Sequence, residues 1–177
     1  MKKYIPLTLA LLLANPGHTR VFERAESSLD RVELLLSVTS ELMDLNAHLD
    51  NLTERTRRAD DIRILKDQLR SVRRAVRRGA PLPSEDNIHT WKNDFFRTRD
   101  LVCKQVGSEL EKKRRLRAPY LTSKRKAHMD DLMKRYHHKC VVEGRNLKNL
   151  PLSASNARLS DNMIDLIRLA RKVNRNF

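Results

Sequence analysis

The chain has 177 residues, long enough for one domain with a sizeable core and too short for several. Charged residues make up 33% of it and aromatic residues 5%, with only 4 Gly and 6 Pro, which argues against a turn-rich sheet protein and for helices. The formal net charge of +15 calls for an anionic partner, whether nucleic acid, lipid headgroups, an acidic polymer or an acidic protein, and does not choose among them.

Lys2 and Lys3 precede an apolar run over residues 4–14, and Asn15-Pro16-Gly17 follows as a breaker. That order is the form of a bacterial secretory signal, so residues 1–19 are expected to be a signal peptide cut near Asn15, and residues 20–177 a single helical domain. The expected compartment is periplasmic or secreted. The apolar run falls short of the roughly 20 residues that a spanning helix needs, and the competing reading is a buried first helix or strand.

From Val21 the pattern is helical. Phe22, Ala25, Leu29, Val32 and Leu36 form one apolar stripe, and Leu35, Val38, Leu42, Leu45, Leu49 and Leu52 form a second beside it, a face broad enough to need two neighbours. After a polar interval over residues 53–61, the steps resume at Ile62, Leu65, Leu69, Val72 and Val76. With no Gly or Pro before Gly79, the reading is one long helix that is locally overwound; the alternative is a bend capped at Asp60. Arg70, Arg73, Arg74, Arg77 and Arg78 crowd its end, more cations than a helix terminus needs, and form a first candidate surface for phosphate or carboxylate.

Gly79-Ala80-Pro81-Leu82-Pro83 stops that helix, and Ser84 with Glu85 and Asp86 starts another. Its apolar side carries Ile88, Trp91, Phe95, Val102, Val106 and Leu110, with the single Trp read as core. Lys112, Lys113, Arg114, Arg115 and Arg117 end it before Pro119, and Thr122 caps the next helix, where Met129, Leu132, Met133, Tyr136 and Cys140 face inward until Gly144. The two helices form a hairpin whose tip also holds Lys124, Arg125 and Lys126. Leu159, Met163, Leu166, Ala170, Val173 and Phe177 mark a last helix at heptad steps.

About 16 residues separate Cys103 from the hairpin turn and about 20 separate the turn from Cys140, so the two thiols lie nearly level at about 1.5 Å per residue. A disulfide between them is expected, and it agrees with export. His137, His138 and Cys140 lie within one turn, but no second pair at ligand spacing accompanies them, so no metal is expected. Sparse aromatics give no stacking platform for single-stranded nucleic acid.

Two resemblances follow from particular residues. Leu121-Thr122-Ser123-Lys124-Arg125 resembles the Leu-Thr-x-x-Gln signature of periplasmic chaperones of the Spy kind, with Arg125 in place of the Gln. The resemblance implies a basic and apolar cradle for unfolded clients. A long first helix, a Gly-Pro turn and shorter helices also resemble the secreted all-helical chorismate mutases. That likeness implies that Arg31 and Arg55 hold substrate carboxylates beside Gln105, although Met43 stands where a Lys is wanted.

The expected fold is all-α: an elongated helical bundle with a long N-terminal helix, a helical hairpin and a C-terminal helix. No catalytic constellation is legible and no cofactor is expected. The leading functional expectation is an exported non-enzymatic binding or assembly protein of the bacterial cell envelope, a secretion or conjugation component or a periplasmic chaperone. The alternatives are a cytosolic basic nucleic-acid-binding protein and a secreted chorismate-mutase-like enzyme. Expected partners are an anionic molecule or another protein, with nucleic acid, a membrane surface and a second copy of the chain as candidates.

Overall fold

The structure, a computed structural model, describes residues 16–48, 55–152 and 157–175. The signal-like run, Leu49, Leu52 and Phe177 lie outside the described residues, as do the side chains of Phe22 and Ala25. The chain is an all-α bundle. Its elements are α1 (Pro16–Ala47), α2 (Arg55–Arg77), α3 (Glu85–Arg117), a 3₁₀ turn (Ala118–Tyr120), α4 (Ser123–His137), a π-helical segment (His138–Glu143), α5 (Gly144–Asn149) and α6 (Ala157–Arg175).

The expected continuity of the first helix is not observed. α1 ends at Ala47, and α2 packs back against it as the second arm of an antiparallel hairpin. Arg77 Nη2 donates to Glu33 Oε1 at 2.7 Å while Lys66 Nζ approaches Met43 Sδ at 3.8 Å, so numbers rise along one helix as they fall along the other. The driving force is the stripe itself. Leu35, Val38, Leu42 and Leu45 of α1 and Ile62 and Leu69 of α2 are wholly buried, and each such side chain contributes about 1.5 to 3 kcal/mol when removed from water. One straight helix would leave both halves of the stripe to find other partners.

α2 stops in a Schellman motif. Gly79, at φ +91, lets its N–H reach Val76 O at 3.0 Å and the Ala80 N–H reach Ala75 O at 3.0 Å, which satisfies two orphan carbonyls. Ser84 then caps α3, its hydroxyl accepting from the Asn87 N–H at 3.3 Å, and Thr122 caps α4 in the same way through the Arg125 N–H at 3.4 Å.

α3 runs parallel to α1 and packs on it, with Ile88, Phe95, Phe96, Val102, Val106 and Leu110 buried and Trp91 packed partly buried against the core. α4 returns beside α3. α6 closes the bundle parallel to both α1 and α3, through Ser160 Oγ donating to Glu41 Oε1 at 2.6 Å and Lys113 Nζ donating to Asn174 Oδ1 at 2.6 Å. Leu159, Met163, Leu166, Ala170 and Val173 form its buried stripe, as the heptad steps require.

Helix does not stop at Gly144, which instead opens α5 after the π-helical segment. Cys140, within that segment, is disulfide-bonded to Cys103 of α3, with Cα atoms 5.9 Å apart. Tyr136 Oη, one turn earlier, donates to Cys103 O at 3.0 Å, and burial pushes the phenol's pKa well above its usual range. These contacts tie α4 to α3 at mid-height of the hairpin.

Candidate functional site

The cations singled out in the sequence fall into two groups at opposite ends of the bundle. Arg31 donates to Glu85 at 2.6 Å and Arg77 to Glu33, so the end of α2 lies beside the start of α3. Lys112 to Arg117 finish α3, whose 33 residues span about 50 Å. The two groups therefore cannot grip one compact ligand.

At the α2 end the charges are partly consumed. Arg77 is paired with Glu33 and Arg70 with Asp67 at 3.7 Å, and Arg73 is half-buried with its Nε unpartnered. Arg74 Nε donates to Arg70 O at 3.4 Å, while Arg78 is exposed. Cations here also face the negative end of the α2 macrodipole, which favours them by about 0.3 to 1 kcal/mol each.

The other end is different. It gathers the last turns of α3 and α6, the 3₁₀ turn and the first turn of α4. Glu111 takes Arg114 at 2.8 Å and Arg115 at 3.1 Å, Asp130 takes Arg114 at 2.6 Å, and Glu109 takes Lys112 at 2.6 Å. The Arg114 guanidinium holds the Glu111 carboxyl down at about 2. Among the described residues, no carboxylate stands within ion-pair distance of Lys113, Arg117, Lys124, Arg125, Lys126 or Arg175. No acidic residue occurs between Lys112 and Met129. α6 contributes to this pole, a convergence invisible in the sequence: Arg175 lines a shallow groove with Lys124, Arg125, His128 and Met129. Leu116 is 73% and Tyr120 85% exposed at the apex.

Lys124, Arg125 and Lys126 occupy the first turn of α4, which carries no acidic residue. A helix amino terminus disfavours positive charge. These three cations oppose the local field instead of relieving it, so helix stability does not explain them.

A second cluster escaped the sequence reading altogether. Arg99 has no exposed surface, yet it is the largest fully buried side chain among the described residues. Its Nη1 donates to Asp100 Oδ1 at 3.0 Å and Cys140 O at 3.2 Å, and its Nη2 to Lys139 O at 3.1 Å and Asn162 Oδ1 at 2.7 Å. Asn162 Nδ2 donates in turn to Lys139 O at 3.1 Å and Glu143 Oε2 at 3.0 Å. Lys139 Nζ bridges Glu143 at 3.2 Å and Asp165 at 3.0 Å. The π-helical segment presents the two carbonyls, and Gly144 makes room: a Cβ there would lie 2.9 Å from Arg99 Cζ. Burial lowers the guanidinium pKa and Asp100 opposes that shift. With every strong acceptor supplied by α3, the π-helical segment or α6, the cluster is an internal clamp.

The signal for it was present. Steps of three and four along α3 run through Ile88, Trp91, Phe95, Val102, Val106 and Leu110 with one vacancy, and Arg99 fills it.

The residues matched to the chorismate mutases do not converge. Arg31 is level with the end of α2, whereas Arg55 opens α2, whose 23 residues put about 33 Å between these levels. Arg31 is engaged by Glu85. The Leu-Thr-Ser-Lys-Arg stretch has a local role, because its Thr122 is the α4 cap. Cys140 gives its sulfur to Cys103 and offers no thiolate to His137 or His138.

Fold and site together define a disulfide-linked all-α bundle with a basic pole and a buried arginine clamp. No protein-family model, curated protein or solved structure matches the chain.

Proposed function

We propose that this chain is an exported, non-enzymatic binding protein of the bacterial envelope that engages an anionic partner through the pole formed by α3, α4 and α6. One observation carries the reading: Lys124, Arg125 and Lys126 stand in the first turn of α4, against its macrodipole and without carboxylate partners among the described residues. Export is supported by the signal-like start and by the Cys103–Cys140 bond, of a kind that persists in oxidising compartments.

Retention of the full chain on immobilised heparin tests the binding. Lys124→Glu with Lys126→Glu should elute at distinctly lower salt than the wild type, because screening acts on an exposed charge over about 8 Å at physiological ionic strength. Unchanged elution would remove the pole as the binding surface. Cell fractionation tests the compartment: oxidised protein shortened at its amino terminus and released with the periplasm is expected, and full-length reduced protein in the cytosol would overturn export.

A further inference from the structure

Resting on that reading, we infer that the partner of the pole is the surface of an anionic lipid bilayer, with Leu116 and Tyr120 entering its interface. The apex is convex. Leu116 is the penultimate residue of α3 and Tyr120 ends the 3₁₀ turn, and both stand among the large exposed apolar side chains of the described residues at 73% and 85%. Burial in a protein core does not account for them, since neither packs on the apolar cluster.

Lys113, Arg117, Lys124, Arg125 and Lys126 flank these two side chains within about two helical turns, and Arg175 stands beside the first turn of α4. An apolar knob ringed by uncompensated cations matches the two layers of an anionic membrane surface: headgroup phosphates attract the ring, and the carbonyl region receives the knob. Tyrosine, with its apolar ring and polar hydroxyl, is at home at that depth. Each Lys or Arg near such a surface strengthens binding about five-fold, since its contribution is about 1 kcal/mol. Six such cations without a deep insertion give reversible, salt-sensitive attachment.

Nucleic acid fits the same charge less well. Between Lys112 and Lys126 Tyr120 is the only aromatic side chain, so no run of rings offers successive bases a stacking platform. Leu116 would face phosphates with nothing to gain.

The test uses the full oxidised chain and sedimentation with vesicles of phosphatidylglycerol and phosphatidylcholine, of phosphatidylcholine alone, and with a mixed-sequence DNA duplex as competitor. Binding to the anionic vesicles should exceed binding to the neutral ones at least ten-fold. Lys124→Glu with Lys126→Glu should weaken it more than ten-fold, and Leu116→Ser with Tyr120→Ser several-fold, each with a retained thermal transition. Tyr120→Trp in a Trp91→Phe background should shift its emission to the blue on anionic vesicles only. If that chain unfolds, the Leu116→Ser and Tyr120→Ser comparison decides alone.

No preference for anionic vesicles, or binding indifferent to Leu116 and Tyr120, overturns the bilayer. Should the duplex bind tightly and in a pole-dependent way while vesicles do not, the anionic-partner reading stands and the lipid inference falls. Should neither bind, both fall.

Discussion

A single buried side chain sets the residue-scale behaviour of this molecule. Arg99 satisfies carbonyls that the π-helical segment turns inward, and Gly144 is small because the guanidinium occupies the place of a Cβ. Gly144→Ala should therefore destabilise by about 1 to 3 kcal/mol through overpacking. Arg99→Met should cost about 2 to 6 kcal/mol by leaving Asn162 Oδ1 and Cys140 O without their donor, at about 1 to 3 kcal/mol for each orphaned group. With Met at 99 the obstruction is gone, and Ala is better than Gly in a helix by about 1 kcal/mol, so Gly144→Ala should become neutral or stabilising there. Denaturant melts of the four proteins in this cycle check the sign change.

Two carboxylates predict opposite responses to acid. Glu111 is held at about 2 by the Arg114 guanidinium, so its contribution to stability is present above its ordinary value of 4.5 and fades as the pH falls through about 2. Glu41 is raised by burial, with one oxygen on the Ser160 hydroxyl and Oε2 buried without a partner. Its folded state holds the proton more tightly, so stability declines as the pH rises from about 4.5 through the raised value. Glu111→Gln should lower the melting temperature at neutral pH and leave it nearly unchanged near pH 2. Glu41→Gln, which keeps an acceptor for Ser160, should raise it at neutral pH and lose its effect in acid.

At the scale of elements, the disulfide and the two hairpins divide the work. Cys103 and Cys140 are 37 residues apart, and closing a loop of that size contributes about 4 kcal/mol in the chain-entropy model. Reduction, or Cys103→Ala with Cys140→Ala, should lower the melting temperature by about 8 to 16 °C for a chain of this size. In the other hairpin, Leu42 is wholly buried between α1 and its neighbours, and Leu42→Asp should cost several kcal/mol, on the order of 3 to 5, by burying a carboxyl with no partner. A melt unchanged by either substitution would contradict the packing.

The legibility of these elements follows from how local their causes are. Three- and four-residue apolar steps state the stripes of α1, α3 and α6 directly, Ser84 and Thr122 announce their helices by side-chain chemistry, and the cysteine register follows from two helices of known rise. The end of α1 was hidden because Leu49 and Leu52 continue the stripe with no Gly or Pro before Gly79, while the turn-prone Asp50 and Asn51 and the polar interval over residues 53–61 were the contrary signs. The π-helical segment has no composition of its own. Its carbonyls at Lys139 and Cys140 are met by Arg99, 40 and 41 residues away in the chain, and such a partner cannot be read from a window of neighbours. For the same reason the convergence of Arg175 with Lys124 and Arg125 required the fold.

For the whole molecule, the decisive fact is that two pairs of cations, one at each end, sit in opposite fields. At the α2 end, Arg74 and Arg78 face a helix carboxyl terminus and are stabilised by it; at the pole, Lys124 and Lys126 face a helix amino terminus and are strained by it. The ends are separated by the length of α3, about 50 Å, several times the screening length of about 8 Å, so each acts alone. Two charge-matched reversals should then part company in both stability and binding. Arg74→Glu with Arg78→Glu should lower the melting temperature slightly and leave retention on anionic surfaces close to that of the wild type. Lys124→Glu with Lys126→Glu should raise the melting temperature, by up to about 0.3 to 1 kcal/mol of stability per residue, while removing most of the retention. Calorimetry and salt elution on the same two proteins measure all four outcomes. If both reversals weaken retention equally, net charge alone governs binding and the pole has no special part in it; if Lys124→Glu with Lys126→Glu destabilises the chain, those lysines are structural and the reasoning from the α4 macrodipole fails.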